Sequence, residues 1–263
     1  MSGLQKPGNR PDSATNMKFD AALSKIFSVS ELETYGHCPH EYYLKYVLGL
    51  PANGILKTEA QGIPANVRGS IVHAIIQKYD PARDNIISDL IAAECLAASI
   101  YPDKKTLREI EGPLEVFAKS DVAKQIGEGN RELRFDWQFE GSIITGSIDW
   151  LKPLDGGFAI FDFKTDEIEP SAVEKRSAEY DLQLTTYALA VMAATGKPVK
   201  ETSLYFLGPD ILHTTPMDDK RAAGGMQKLK TIIAGIKGEK FDIGDKPATC
   251  YKCPYSYNKM CRK

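Results

Sequence analysis

The chain has 263 residues, of which 43% are apolar and 26% charged, and its formal net charge is −2. This composition is typical of a soluble protein, and the length allows one large domain or one domain with an attached lobe. No signal peptide, membrane span or compartment signal is recognisable, so the expected location is the cytoplasm. The charge does not mark a nucleic-acid binder, although basic residues focused in one groove would still permit that function.

The N-terminal half is predicted to be helical after a polar leader. Residues 1–16 are polar and rich in Gly, Pro, Ser and Asn, and a disordered leader is expected over 1–26. Overlapping Ser-x-x-Glu patterns at Ser28 and Ser30 predict a helix start with a capping box. Pro39 suits the first position of a second helix, which Gly49 ends. A loop is predicted over 51–65, and helices are predicted over 66–79, 85–100 and 104–126.

The C-terminal half begins with the two-residue period of β-strands. In residues 131–139 apolar and polar side chains alternate, which predicts a half-buried strand. Two apolar runs then flank Asp155-Gly156, a strong hairpin signal. The last predicted elements are a helix over 178–195, strands over 201–207 and 211–215, and a helix over 218–237. This order predicts an α/β or α+β domain with a helical insertion at about residues 80–128.

The segment AIFDFKTD places Asp162 and Lys164 two positions apart in a predicted strand. A two-residue turn at Asp155-Gly156 would make Asp149 the direct cross-strand neighbour of Asp162, with Cβ atoms roughly 4.5–5.5 Å apart. The opposite face of this hairpin would then carry apolar residues, namely Ile148, Trp150, Phe161 and Phe163. A one-residue change of register would move Asp149 to the other face and separate the two carboxylates.

Two neighbouring carboxylates destabilise a hairpin unless something binds between them. Mg²⁺ or Mn²⁺ is the natural candidate, because both ions prefer hard oxygen ligands. Such an ion would lower the pKa of a bound water and polarise the phosphate of a phosphodiester, while Lys164 would stabilise transition-state charge or orient the water. The alternative is a solvated polar face on which Asp149 lies apart from Asp162, and Lys164 forms an ion pair.

Asp149 followed by Asp162-Phe163-Lys164 resembles the motif of the PD-(D/E)XK nuclease superfamily. The segment FSVSELETYGHCPHEYYLKYVLGL resembles the opening of RecB/AddB-type nuclease domains and of the related CRISPR-associated iron–sulfur exonucleases. RGSIVHAII and DLQLTTYALA resemble two further helices of these enzymes. The resemblance assigns residues 27–263 to one nuclease domain. It implies an α/β, restriction-endonuclease-like core with a central mixed sheet flanked by helices, a helical insertion and a Cys-rich C-terminal tail.

The resemblance also implies roles for individual residues. The implied metal ligands are His73, Asp149, Asp162 and the carbonyl of Phe163. Lys164 is the implied catalytic lysine, His73 belongs to the catalytic set, and Glu132 matches an acidic position in many relatives. Gln183 and Tyr187 share a helix face, where they would contact the DNA backbone or Lys164. Without the resemblance, His73 would be interpreted as a core or surface histidine, and Gln183 and Tyr187 as a polar stripe on a buried helix.

The tail contains Cys250-x2-Cys253-x7-Cys261, and Cys38 lies far upstream. The chain has five cysteines, an odd number, and no recognisable export signal. Both observations argue against a disulfide framework. Four thiolates from both ends of the chain suit a [4Fe–4S] cluster, and the resemblance implies that such a cluster staples the termini together. Structural Zn²⁺ is the alternative. Cys95, in an apolar helix, is expected to be a buried small hydrophobe.

The sequence therefore favours a metal-dependent DNA nuclease, an exonuclease or endonuclease that prefers single strands or duplex ends. It would serve DNA repair, recombination or CRISPR spacer acquisition. No phosphate-binding G-x-x-x-x-G-K-[ST] motif occurs, so unwinding would come from a helicase partner, and a CRISPR integrase is another expected partner. One alternative is a non-catalytic DNA-binding scaffold module of a helicase–nuclease complex. Another is a metal-dependent hydrolase of a different phosphoester.

Overall fold

The computed structural model describes residues 25–51, 63–83, 87–243, 250, 253–257 and 261. Residues 1–24 of the leader predicted over 1–26 lie outside the described residues. Most of the loop predicted over 51–65 also lies outside them. Within the described ranges, no helix combines the length and apolar character needed to span a membrane.

Among the described residues, six strands form one mixed sheet. They are β1 Ile26–Ser28, β2 Asn130–Phe139, β3 Ser142–Leu154, β4 Gly157–Lys164, β5 Val199–Phe206 and β6 Ile211–Pro216. Strands β1, β3, β4, β5 and β6 are neighbours in that order, and β2 pairs with β3. The β1–β3 and β4–β5 pairs are parallel and the others antiparallel. The predicted α/β class with a central mixed sheet is therefore confirmed.

Strand β3 changes its partner half way along one edge. Its other edge pairs with β2 over residues 142–151, so β1 and β4 must share the remaining edge. On that edge, β1 pairs with residues 143–145 and β4 pairs with residues 150–154. Because β1 runs parallel to β3 and β4 runs antiparallel to it, the C-terminal ends of β1 and β4 point towards each other. Residues 146–149 lie beside the gap between these two strand ends.

The predicted hairpin and its register are confirmed. Leu154 pairs with Gly157 across a two-residue turn in which Gly156 has a φ of +69°. The ladder continues to the Trp150–Phe161 pair. The next position on each strand holds the two aspartates, at the point where β3 and β4 separate.

The prediction that one face of the hairpin carries all four apolar residues is wrong for Ile148. Trp150, Phe161 and Phe163 pack in one hydrophobic core, whereas Ile148 packs in the other. The β2–β3 ladder omits the position opposite Asp149, where Glu132 has a φ of +49°. The register is the same on both sides of this position, so no residue is inserted, and Ile148 and Trp150 nevertheless face opposite cores.

The structure has these helices in its described part: α1 Val29–His37, α2 Pro39–Tyr42, α3 Ala65–Lys78, α4 Ile87–Ala97, α5 Lys104–Lys119, α6 Asp121–Gln125, α7 Val173–Glu179, α8 Asp181–Thr195, α9 Asp219–Lys237 and α10 Pro254–Tyr257. A π-helical segment over Tyr43–Val47 continues α2. The helix predicted over 104–126 is divided at Ser120, whose hydroxyl caps α6. The helix predicted over 178–195 is divided at Tyr180.

The predicted start of α1 is confirmed in detail. Ser28 and Glu31 form a reciprocal capping box, in which the Ser28 hydroxyl accepts from the Glu31 amide and the Glu31 carboxylate accepts from the Ser28 amide. Since Ser28 also ends β1, the capping box fixes the helix directly at the end of that strand. Helix α1 therefore begins beside the gap in the sheet.

Two hydrophobic cores cover the two faces of the sheet. One contains buried residues of α1, α8 and α9, and the other contains buried residues of α3, α4 and α5. Helices α4 to α6 occupy most of the segment predicted as an insertion, and they form part of the second core. Cys95 is 4% exposed there, which confirms its prediction as a buried hydrophobe.

The contact between α8 and α9 depends on a glycine. A Cβ atom on Gly225 of α9 would lie 2.0 Å from Cγ2 of Thr185 on α8, while the neighbouring Gly224 has no described atom within 4 Å of that position. We expect Gly225→Ala to lower the free energy of unfolding by about 1–3 kcal/mol through overpacking. Gly224→Ala should raise it by up to about 1 kcal/mol through helix propensity. Urea unfolding of both variants tests this, and equal effects would contradict it.

Candidate active site

The candidate active site lies at the gap in the sheet edge. Asp149 is on β3 beside the gap, and Asp162 and Lys164 are on the last residues of β4. The β3–β4 ladder ends at the pair before Asp149. There the Asp149 side chain makes the contact between the two strands, since its Oδ2 accepts a hydrogen bond of 2.7 Å from the Phe163 amide. The side chain of Asp149 therefore crosses to β4 between Asp162 and Lys164.

His73 reaches the same carboxylate from α3. Its Nδ1 lies 3.3 Å from Oδ1 of Asp149 and 3.9 Å from Oε1 of Glu132. Glu132 is held from the other side, because its Oε2 accepts a hydrogen bond of 3.0 Å from the Ser147 hydroxyl. The bend in β2 at Glu132 thus brings a second carboxylate to the histidine.

Asp162 and Lys164 form a buried ion pair at the end of β4. Lys164 Nζ lies 2.7 Å from Asp162 Oδ2, and Asp162 is only 1% exposed. Burial raises the pKa of Asp162, with a further rise from Asp149, although the Lys164 ammonium opposes this. Burial lowers the pKa of Lys164, but the charge and hydrogen bond of Asp162 outweigh it, so the net pKa is raised and the lysine stays an ammonium.

A chain of hydrogen bonds connects Lys164 to Gln183 and Tyr187, which both lie on α8. Lys164 Nζ donates to Gln183 Oε1 at 2.9 Å, and Gln183 Nε2 donates to the Tyr187 hydroxyl at 3.0 Å. Tyr187 is 5% exposed, and its ring meets Phe135 edge-on at 5.8 Å. The structure therefore places Gln183 against Lys164 and Tyr187 against Gln183.

The carboxylates control the charge of His73. Burial by itself lowers the pKa of His73, but Asp149, by charge and hydrogen bond, together with Asp162 and Glu132, raises it to about 9. The imidazole therefore carries a proton at neutral pH and balances part of the negative charge around it. Coordination of a cation by this ring would replace that proton.

The residues present fit a divalent cation. Ligand atoms of His73, Glu132 and Asp149 all lie within 4.8 Å of one another. Oδ2 of Asp162 has the Lys164 ammonium as its partner at 2.7 Å. Carboxylate oxygens with one imidazole suit Mn²⁺ and, with bound water, Mg²⁺. The ligand set implied by the resemblance shares His73 and Asp149 with this group, and it has Asp162 where the group has Glu132.

The four cysteines predicted to act together line one small cavity, and they are Cys38, Cys250, Cys253 and Cys261. Cys38 also caps α2, since its Sγ accepts a hydrogen bond of 3.4 Å from the Glu41 amide. Tyr255 of the tail is buried and donates its hydroxyl to the Leu50 carbonyl at 2.8 Å. The tail is thus tied to the segment that follows α2. Four thiols around one cavity suit a [4Fe–4S] cluster or Zn²⁺.

Glu33 is a titratable residue near the site, and the sequence suggested only a helix-capping role for it. It lies on α1 and lines a cavity of about 290 Å³ together with His37, Lys175 and Lys228. Burial raises the pKa of Glu33 to about 7, although Lys164 and Lys228 act in the opposite direction. Glu33 follows the buried Val29 by one helical turn, so an acid on the apolar face of α1 was the available signal.

We expect the stability effect of Glu33→Gln to depend on pH. The folded pKa of about 7 exceeds the ordinary value of 4.5, so the wild-type protein loses stability as the pH rises through 7. The variant lacks this loss and should gain up to roughly 3 kcal/mol relative to wild type between pH 4.5 and pH 8. Urea unfolding across this range measures the difference. The exposed Glu174→Gln is the control, and a pH-independent difference for Glu33→Gln would contradict the assignment.

Comparison with known proteins identifies the family of this chain. A model of the PD-(D/E)XK nuclease superfamily matches residues 26–262. The match includes both aspartates, Lys164, His73 and all four cysteines of the cavity. It therefore covers the sheet, the helices on both faces and the tail.

The chain is also similar to large bacterial proteins. Over 224 residues it is 26% identical to an ATP-dependent helicase/nuclease subunit of Oceanobacillus iheyensis, and the match covers 73% of this chain and 18% of that protein. Over 175 residues it is 30% identical to the protein of the same name from Bacillus cereus strain Q1, and the match covers 56% of this chain and 14% of that protein. The chain thus spans less than a fifth of the length of these curated relatives.

A solved structure shares the fold. The crystal structure of a candidate exonuclease from Eubacterium rectale aligns with 99% of this chain, over 96% of its own length, with a TM-score of 0.56 and 15% identity. This likeness supports the restriction-endonuclease-like core that the motifs implied. Together with the family match over nearly the whole chain, it leads to one conclusion: the protein belongs to the PD-(D/E)XK nuclease superfamily.

Proposed function

We propose that this nuclease is a deoxyribonuclease that hydrolyses phosphodiester bonds with Mg²⁺ or Mn²⁺, as an exonuclease on single strands or duplex ends. The observation that carries the proposal is the placement of Asp149, Asp162 and Lys164 at one gap in the sheet, with His73 reaching in from α3. The non-catalytic scaffold alternative has less support, because a binding module has no need for a buried aspartate–lysine pair beside a second carboxylate.

The cation would be held by His73, Asp149, Asp162 and the Phe163 carbonyl, with Glu132 next to the histidine. When bound, it would lower the pKa of a water and polarise the phosphate. The hydrogen bond from the Phe163 amide orients Asp149, and the Ser147 hydroxyl orients Glu132. The protein's contribution is therefore to fix the carboxylates before substrate arrives.

Lys164 would stabilise the negative charge that develops on the phosphate in the transition state. Asp162 and Gln183 hold its ammonium at 2.7 Å and 2.9 Å. Gln183 is itself held by the buried Tyr187. We assign Gln183 and Tyr187 this positioning role beside the DNA-backbone contact that their motif implies.

The four cysteines would bind a [4Fe–4S] cluster that staples the tail to the segment around α2. Their arrangement around one cavity and their one-plus-three spacing support this choice. Zinc is the alternative, since structural zinc sites also use four cysteines. The role of either would be structural, because phosphodiester hydrolysis transfers no electrons.

The curated relatives are named as components of helicase/nucleases, which favours a pathway in which a helicase supplies single-stranded DNA. DNA repair or recombination in the cytoplasm would fit such a pairing. CRISPR spacer acquisition with an integrase partner is the other pathway that the motifs imply.

Replacing Lys164 should abolish most DNA cleavage. We expect Lys164→Met to reduce the cleavage rate of single-stranded DNA by about 100- to 1,000-fold, because one transition-state charge partner is lost. The matched control is Lys152→Met, since Lys152 is on β3 and its side chain is 16% exposed against 14% for Lys164. Rates in Mg²⁺ and in Mn²⁺ measure the effect. A wild-type protein that retains DNA without cutting it would support the scaffold alternative instead.

The cluster assignment predicts a coloured protein. Anaerobically purified wild type should absorb broadly in the blue part of the visible spectrum and contain iron and sulfide. Cys38→Ser should lose this absorbance, because one ligand is removed, whereas Cys95→Ser in the second core should keep it. A colourless wild type with stoichiometric zinc would show that the cluster assignment is wrong.

A further inference from the structure

Lys164 has a third neighbour that neither its motif nor the metal site explains. Its Nζ lies 3.9 Å from the centre of the Tyr180 ring, at the junction between α7 and α8. We propose that Tyr180 is a positioning residue for the nuclease reaction, which holds the Lys164 ammonium against the face of its ring. This inference rests on the proposed catalytic role of Lys164.

The Tyr180 ring is itself fixed at its far end. Its hydroxyl donates to Asp166 Oδ2 at 2.7 Å and accepts from Arg176 Nη2 at 2.7 Å. Arg176 Nε donates a further hydrogen bond of 2.7 Å to the same Asp166 oxygen. We call Asp166, Arg176 and Tyr180 the clamp. Asp166 follows β4 in the chain and Arg176 lies on α7, so the clamp joins the loop after Lys164 to the next helix.

The Tyr180 ring and the amide that holds Lys164 come from the same end of α8. Tyr180 is the residue immediately before α8, and Gln183 lies in the first turn of that helix. The start of α8 therefore brings a ring face and an amide oxygen together at the ammonium. The Lys164 ammonium thus has three partners, namely the Asp162 carboxylate, the Gln183 amide oxygen and the Tyr180 ring. Together they restrict the rotamers of the flexible lysine side chain.

A ring face suits this task for an electrostatic reason. A carboxylate attracts the ammonium but also neutralises it, and so competes with a phosphate for its charge. An aromatic face attracts the same ammonium through its quadrupole and adds no anion. Because the Lys164 side chain is only 14% exposed, the contact is largely desolvated, and such contacts are the strongest of their kind.

Two substitutions of Tyr180 distinguish the contribution of its ring to kcat from that of its hydroxyl. Tyr180→Leu removes the ring and should lower kcat on a labelled single-stranded oligonucleotide by about 30-fold, with KM changed less than about threefold. Tyr180→Phe keeps the ring and should stay within about fivefold of the wild-type kcat. An unchanged kcat for the leucine variant, or equal losses for both variants, would overturn the proposal.

A near-isosteric series removes folding as an explanation. Phenylalanines with one, two and three ring fluorines at position 180 weaken the cation–π attraction stepwise while packing almost alike. We expect kcat to fall with each fluorine, and a flat series would overturn the proposal. The control is Tyr205→Phe, which also loses a hydroxyl bonded to an aspartate, Asp210, but packs in the second core. This control should leave kcat unchanged.

An NMR readout is independent of cleavage. The ring current of Tyr180 should shift the ε-methylene protons of Lys164 upfield in wild type and Tyr180→Phe, and this shift should vanish in Tyr180→Leu. If wild type shows the shift but cuts no DNA, the proposed nuclease function fails while the contact stands. If DNA is cut and the shift is absent, the positioning role fails alone.

Discussion

The site depends on a single topological constraint, the change of partner along one edge of β3. A strand that pairs first with β1 and then with β4 leaves a short stretch, residues 146–149, with no strand partner on that edge among the described residues. The C-terminal ends of β1 and β4 converge there, and the chain leaves each towards a helix or loop. Ligands commonly bind outside the carboxyl ends of strands at such a reversal in open sheets. Asp149, Asp162, Lys164 and α1 meet for this reason.

Charge balance makes this gap stable before any substrate arrives. Asp162 is buried with Lys164, and Asp149 shares its carboxylate between the Phe163 amide and the protonated His73. Replacement of the imidazole proton by a cation would keep the local charge nearly balanced. The protein can therefore assemble the carboxylates in advance, which is the main protein contribution to metal-assisted hydrolysis. The cysteine cavity is lined by the tail and by the start of α2.

The sequence predicted the local parts of this arrangement well. The Asp155-Gly156 turn determines the register of its own hairpin, so the positions of Asp149 and Asp162 just beyond the last pair of that ladder followed from two short strands. The capping box at Ser28 and the buried Cys95 are likewise local signals. Motif resemblance added His73, Gln183 and Tyr187, which periodicity alone would have left as ordinary helix residues.

Features that depend on contacts between distant parts of the chain could not be predicted from the sequence. Strand β1 has three residues, and its parallel pairing with residues 143–145 joins segments more than a hundred residues apart. The change of face at Asp149 coincides with a positive φ at Glu132 on the neighbouring strand, a signal that the hairpin alone does not carry, so Ile148 was placed on the wrong face. Glu33 and Tyr180 acquire their roles only when α1 and the α7–α8 junction pack beside Lys164.

We propose that the two aspartates at the strand gap hold one cation. Anomalous diffraction from a crystal soaked in Mn²⁺ would locate such an ion. We expect one manganese peak within about 2.2 Å of an oxygen of both Asp149 and Asp162, with His73 as a further ligand. A manganese bound by His73, Glu132 and Asp149 without Asp162, or no peak at the gap, would contradict it.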